Sequence, residues 1–166
     1  MNGSEAAGTE FRIMPVSSSD KRTILVVDDD PAVRSLIVEA LRQGGEYIAT
    51  EAADGKEALE ALGSNLYDLV ISDIHMPGMN GMDLLSRIRE INPAISVILI
   101  TAFPSIGLSV SAMKTGAVDF ITKPFRIDEL LYKVNIYLRE KSLLSVDGLL
   151  NKVEQEKLRD KVRQIS

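Results

Sequence analysis

The chain has 166 residues, 45% of them apolar and 26% charged, which fits one domain with a real core plus flanking segments. A net charge of -5 removes the case for a domain-wide nucleic-acid surface, so no direct nucleic-acid binding is expected. With no Cys and one His there are no disulfides and no ligand set for a zinc centre, and no apolar run reaches the ~20 residues of a membrane span.

Residues 1–20 are rich in Ser, Gly, Glu and Ala and end near Ser17-Ser18-Ser19, which reads as a disordered leader. Met1 to Glu10 carries no basic residue and no apolar h-region, so it is not a signal peptide, and the expected compartment is the cytoplasm. Thr23 to Val27 is a short, continuous, β-branched run, the pattern of a strand buried on both faces. It ends in Asp28-Asp29-Asp30-Pro31, where Asp30 suits an N-cap and Pro31 the first helical position. Val33, Leu36, Ile37, Ala40 and Leu41 recur at helical spacing, with Arg34 and Arg42 on the solvent face, and Gly44-Gly45 stops the helix.

Tyr47 to Thr50 reads as a second strand. Asp54 and Glu57 form a capping box for a helix carrying Ala58, Leu59 and Leu62, which Gly63 ends. Leu69-Val70-Ile71-Ser72-Asp73 is a third strand that delivers one carboxylate to a turn marked by Pro77, Gly78, Asn80 and Gly81. Asn80 caps a third helix with Leu84, Leu85 and Ile88 inward. Ile95 to Ile100 is a fourth strand ending at Thr101-Ala102. Pro104 and Ser105 open a fourth helix with Ile106, Val110 and Met113 on one face, closed by Gly116. Ala117 to Thr122 is a fifth strand running into Lys123-Pro124-Phe125. A last helix begins near Arg126, with Leu130, Leu131, Val134 and Leu138 inward.

Strand and helix alternate five times, which predicts βαβ units, a parallel sheet covered on both sides, and the flavodoxin-like strand order 2-1-3-4-5. This α/β domain is expected to span residues 21–141. Residues 142–166 are charge-dense with helically spaced apolar residues interrupted by Gly148, read as a helical tail that is either a solvated extension or a coiled-coil dimer linker.

Four strands end in polar residues that a core does not need: Asp28-Asp29, Asp73, Thr101 and Lys123. In a parallel sheet these ends converge on one edge. Three carboxylates there repel, so one pKa is expected to rise unless a cation is present. Oxygen ligands without His or Cys call for a hard ion, Mg²⁺ or Mn²⁺, that leaves a position for a phosphate oxygen. Asp73, central in the sheet, is the expected nucleophile of an aspartyl-phosphate chemistry, with Lys123 and the Thr101 hydroxyl neutralising and binding the phosphoryl group.

Val26-Val27-Asp28-Asp29, Ser72-Asp73-Ile74-His75-Met76-Pro77, Thr101-Ala102 and Lys123-Pro124-Phe125, in this order and spacing, resemble the motifs of response regulator receiver domains of the CheY-like family over residues 22 to 141. The stretch from Thr101 to Phe120 further resembles receivers of the NtrC type. The resemblance implies that Asp73 accepts a phosphoryl group from a histidine kinase. It implies Mg²⁺ bound directly by Asp29, Asp73 and the backbone carbonyl of His75, and by Asp28 through water. It implies that Thr101 and Lys123 bind the phosphoryl group, and that Phe120 is the switch aromatic that turns inward when Thr101 moves. The surface of helix 4, strand 5 and helix 5 would then change, controlling a partner or output. A homodimer through that surface or the C-terminal tail is one such output. The chain would be no enzyme beyond self-catalysed phosphotransfer and slow autodephosphorylation. Alone, Phe120 reads equally as core, and His75 and Phe103 as exposed residues two places after Asp73 and Thr101. Three alternatives stand beside this reading: the receiver portion of an NtrC-type transcriptional regulator, a haloacid-dehalogenase-type phosphatase, and a flavodoxin. The acids after strand 1 disfavour the flavodoxin, since they would repel its phosphate.

Overall fold

The computed structural model describes residues 21–139; the expectations of a leader over residues 1–20 and a helical tail over 142–166 lie outside the described residues. Five parallel strands are ordered β2-β1-β3-β4-β5, as predicted. They are β1 (Arg22–Val27), β2 (Tyr47–Ala52), β3 (Leu69–Asp73), β4 (Ser96–Thr101) and β5 (Asp119–Thr122). The connecting helices are α1 (Pro31–Gln43), α2 (Gly55–Ser64), α3 (Gly81–Ile91) and α4 (Ile106–Thr115), followed by α5 over residues 127–139. The register pairs Val26 with Ile71, Ile71 with Ile98 and Ile98 with Asp119, so the strand ends come out level.

Side chains alternate across each strand, and the core divides accordingly. Leu25, Val27, Val70, Val97 and Leu99 pack with Ala58, Leu84, Leu85, Ile88 and Ala112 of α2, α3 and α4. Ile24, Val26, Leu69, Ile71, Ile98 and Ile100 pack on the other face with Ile37, Val38 and Leu41 of α1 and Leu130, Val134 and Leu138 of α5. A sheet covered on both faces explains why its central strands are continuous apolar runs rather than alternating ones.

The first four predicted helix starts are built by side-chain caps. Asp30 accepts from the Ala32 N–H at 2.9 Å with Pro31 at N1. Asp54 accepts from Glu57, Asn80 from Asp83 and Ser105 from Leu108. Glu57 returns a bond to the Ala53 N–H, completing the reciprocal arrangement one residue earlier than the usual box.

Several details depart from the sequence expectation. Strand β2 extends to Ala52, β4 runs one residue later at each end, and β5 starts at Asp119. Gly63 does not end α2, which continues through Ser64 to an Asn65 C-cap. Leu36 is exposed on α1. Ile106, Val110 and Met113 of α4 are all exposed, a direction the sequence left open, while Leu108 and the smaller Ala112 meet the sheet. Arg42 does not simply point into water: Nε and Nη2 both donate to the Ala49 carbonyl of β2.

Candidate functional site

The carboxyl edge of the sheet gathers the four predicted strand ends. Asp28 follows β1 directly and is buried. Its N–H donates to the Ala52 carbonyl at 3.2 Å, Oδ1 accepts from the Asp30 N–H at 2.9 Å, and Oδ2 accepts from Lys123 Nζ at 3.0 Å. Asp73 closes β3, also buried, with an oxygen 3.5 Å from the same ammonium. Asp29 is exposed at the mouth of the cluster. Carboxylate oxygens of Asp28, Asp29 and Asp73 lie within 4.8 Å of one another.

That crowding is visible in the acid-base balance. Burial pushes the Asp73 carboxyl above the usual range, and the Asp28 charge adds to the rise. Lys123 opposes it without overcoming it, while Asp29 adds further repulsion. Burial alone would lower the Lys123 pKa, but its hydrogen bond to Asp28 and the two carboxylate charges outweigh burial and raise it. Lys123 is therefore a fixed cation. The donor set is all oxygen and over-charged, which fits a hard divalent cation and no soft one.

Thr101, the last residue of β4, is fully buried. Its Oγ1 accepts from the Phe103 N–H at 3.0 Å, an arrangement that leaves the hydroxyl proton able to donate. Its carbonyl accepts from the Lys123 N–H at 2.7 Å, which sets the two residues side by side. The Lys123–Pro124 peptide is cis. Phe120 in β5 is half-buried and packs against the α2–α4 side of the core. His75 is exposed, and its ring meets Phe103 edge-on, centroids 5.2 Å apart at 83°.

Three participants escaped the sequence reading. Arg34, expected on the solvent face of α1, turns back over the helix start: Nη1 donates to the Asp28 carbonyl at 2.7 Å and Nε to Glu51 at 2.9 Å. Its long stem lies along the protein surface while its head reaches carbonyl and carboxylate. Gly81 is more than a turn marker, because a Cβ there would fall 2.4 Å from the Asp73 carbonyl oxygen. The His75–Phe103 pair had one available signal. Both residues lie two places beyond a site residue, just past the ends of the neighbouring strands β3 and β4.

An acidic edge with one lysine and one buried threonine, on a five-stranded 2-1-3-4-5 sheet, defines a class of phosphorylation-controlled signalling domain. A family model for the response regulator receiver domain matches residues 24–135, and the chain belongs to that family. It is 36% identical over 126 residues to the probable transcriptional regulatory protein TcrX of Mycobacterium tuberculosis, covering 76% of this chain and 53% of that one. It is 43% identical over 106 residues to the DNA-binding transcriptional regulator NtrC of Escherichia coli, covering 64% of this chain and 22% of that one. Among solved structures, a CheY-like receiver domain protein from Methanospirillum hungatei superposes with a TM-score of 0.71 at 31% identity, covering 74% of this chain and 97% of that one. The chain thus spans about half of one curated relative and a quarter or less of the other. Receiver domains are regulatory rather than metabolic enzymes, which sets the phosphatase and flavodoxin alternatives aside. No helix among the described residues is long and apolar enough to cross a membrane.

Proposed function

We propose that Asp73 is the phosphoacceptor of this receiver domain and that a histidine kinase is the donor. The observation that carries this is the single ammonium of Lys123 shared between Asp28 and Asp73 inside the acidic cluster. A carboxylate oxygen of Asp73 attacks the phosphorus of a phosphohistidine; the P–N bond breaks as the O–P bond forms, and the imidazole leaves. Lys123 offsets the developing charge, and the Thr101 hydroxyl donates to a phosphoryl oxygen. Mg²⁺ or Mn²⁺, when bound, would supply charge neutralisation for the phosphoryl transfer. Asp29, Asp73 and the His75 carbonyl are its proposed direct ligands, with Asp28 acting through water. Slow autodephosphorylation returns the domain to rest. Cytoplasmic residence follows from the phosphodonor chemistry.

The phosphoryl group adds about -1.5 to -2 charge at neutral pH. Thr101 is drawn toward it, and half-buried Phe120 turns into the space vacated. The surface of α4, β5 and α5 then changes. Ile106, Val110 and Met113 already present an exposed apolar face there, which supports a protein contact, including a homodimer, as the output. A dimer through the 142–166 segment is the other route. The likeness to NtrC over 22% of its length favours a second reading, in which this is the receiver portion of a longer transcriptional regulator.

The deciding experiment is phosphorylation by acetyl phosphate with Mg²⁺, followed by intact-mass spectrometry. Wild type gains one phosphoryl group and D73N gains none. Phosphorylation of D73N at the wild-type rate would overturn the assignment. Light scattering with and without beryllofluoride tests the dimer, which fails if the protein is monomeric in both states.

A further inference from the structure

We propose that Arg34 is a positioning residue for the acidic pocket, holding the backbone through which Asp28 and Asp29 are presented to a divalent cation. The proposal rests on the reading of that pocket as a cation-binding phosphoacceptor site.

Asp28 is engaged at every polar group it has. Its N–H goes to Ala52, and its two carboxylate oxygens go to Asp30 and Lys123. The remaining group, the carbonyl, accepts from Arg34 Nη1 at 2.7 Å. That carbonyl belongs to the peptide joining Asp28 to Asp29, so its plane sets where Asp29 emerges. Asp29 is exposed, and its carboxylate is placed by its backbone rather than by packing.

Arg34 is itself anchored. Nε donates to Glu51 Oε1 at 2.9 Å, and the Arg34 side chain is only 16% exposed. Glu51 lies on β2 opposite Val26 of β1. One planar guanidinium therefore ties the strand next to the pocket to the peptide that forms the pocket wall. Two donors held in a rigid plane do this, and a lysine, with one ammonium on a flexible stem, cannot reproduce it. Glu51 also neutralises a positive charge that would otherwise compete with a metal ion.

The sign of one measurement separates positioning from simple charge. Coulomb's law alone says that deleting a cation beside three carboxylates tightens Mg²⁺ binding. Loss of positioning weakens it, by about tenfold, as is typical for residues that orient metal ligands from behind. Mg²⁺ is titrated into the full chain without phosphodonor and followed by the backbone amide shifts of Asp29 and Ile74. For R34Q the apparent Kd rises about tenfold. R34K keeps the charge and also binds more weakly. E51A, which keeps the Arg34–Asp28 carbonyl bond but removes the acceptor that anchors Arg34, shows a smaller weakening. R34Q binding Mg²⁺ as tightly as wild type, or more tightly, overturns the proposal. If R34Q does not fold, R34K decides by the same criterion. Wild type that fails to bind Mg²⁺ at millimolar concentration instead sinks the pocket reading itself.

Discussion

The Lys123 ammonium lies closer to Asp28, at 3.0 Å, than to Asp73, at 3.5 Å. The lysine's chief partner is thus a buried carboxylate other than the proposed phosphoacceptor. This predicts opposed effects for Lys123→Met. Leaving Asp28 buried without its cation destabilises the metal-free fold by about 2–3 kcal/mol. Mg²⁺ compensates the same charge, so metal affinity rises several-fold while phosphotransfer from acetyl phosphate slows. Thermal denaturation, Mg²⁺ titration and intact-mass kinetics read the three quantities. A parallel fall in affinity and rate would contradict the assignment of Lys123 to the phosphoryl group rather than to the fold alone.

Asp73 should oppose the fold it sits in. Burial and Asp28 raise its pKa above the unfolded value of about 3.8, so its ionised form is disfavoured in the native state. The metal-free protein therefore gains stability from this group as pH falls through the raised native pKa toward the unfolded one, and loses that gain as pH rises. Asp73→Asn removes the penalty. The expected result near neutral pH without metal is a higher Tm for D73N than for wild type. Mg²⁺ reverses the ranking. At a hundredfold excess over Kd it stabilises wild type by about 2.7 kcal/mol, and D73N responds far less. Calorimetry with and without Mg²⁺ checks both halves.

What could be read from the sequence was what is local or strictly periodic. The caps at Asp30, Asp54, Asn80 and Ser105 each act within three residues, so their residue types betray them. The strand ends were legible because a polar residue closing an apolar run has no packing reason to be there. Arg34 was not, since its partners lie on β2 and just past the end of β1, and only the β1–β2 register brings them together. The direction of the α4 apolar face was not legible for a different reason. Periodicity shows which residues share a face but not where it points, and here the small residue Ala112 lets the helix approach the sheet on the opposite side. Strand limits shifted by one or two residues, the usual uncertainty where pairing begins.

Asp119, the first residue of β5, ties that strand to the body of α5. It accepts from Lys133 Nζ at 2.9 Å and from the Tyr137 hydroxyl at 2.8 Å. Burial raises its pKa, but those bonds and the Phe120 N–H outweigh burial, and the net shift is downward. A depressed carboxyl pKa contributes stability that is present above the unfolded value and lost as pH falls through the native one. Asp119→Asn should cost about 1 kcal/mol at neutral pH. It should also flatten the acid limb of the stability curve below about pH 4. Urea unfolding at several pH values tests this, and an unchanged acid limb would show that Asp119 carries none of that dependence.

Gly81 starts α3 against the backbone of the phosphoacceptor. Its N–H donates to the Ile74 carbonyl at 2.9 Å, and a Cβ would sit 2.4 Å from the Asp73 carbonyl oxygen and 2.8 Å from the Ile74 Cα. Both obstacles are backbone, so neither can rotate away. Gly81→Ala must therefore push the helix start and the end of β3 apart, at a cost of about 1–3 kcal/mol. The displaced atoms belong to the residue that is proposed to accept phosphate and to the peptide leading to His75. The expected outcome is a folded protein whose Mg²⁺ affinity and acetyl-phosphate reactivity both drop at least tenfold. Asp54→Ala, which removes the α2 cap and no hydrogen bond of the acidic cluster, should lose about 1 kcal/mol with both properties intact. If G81A and D54A lose stability alike and phosphorylate alike, the close approach of Gly81 matters to the fold and not to the site.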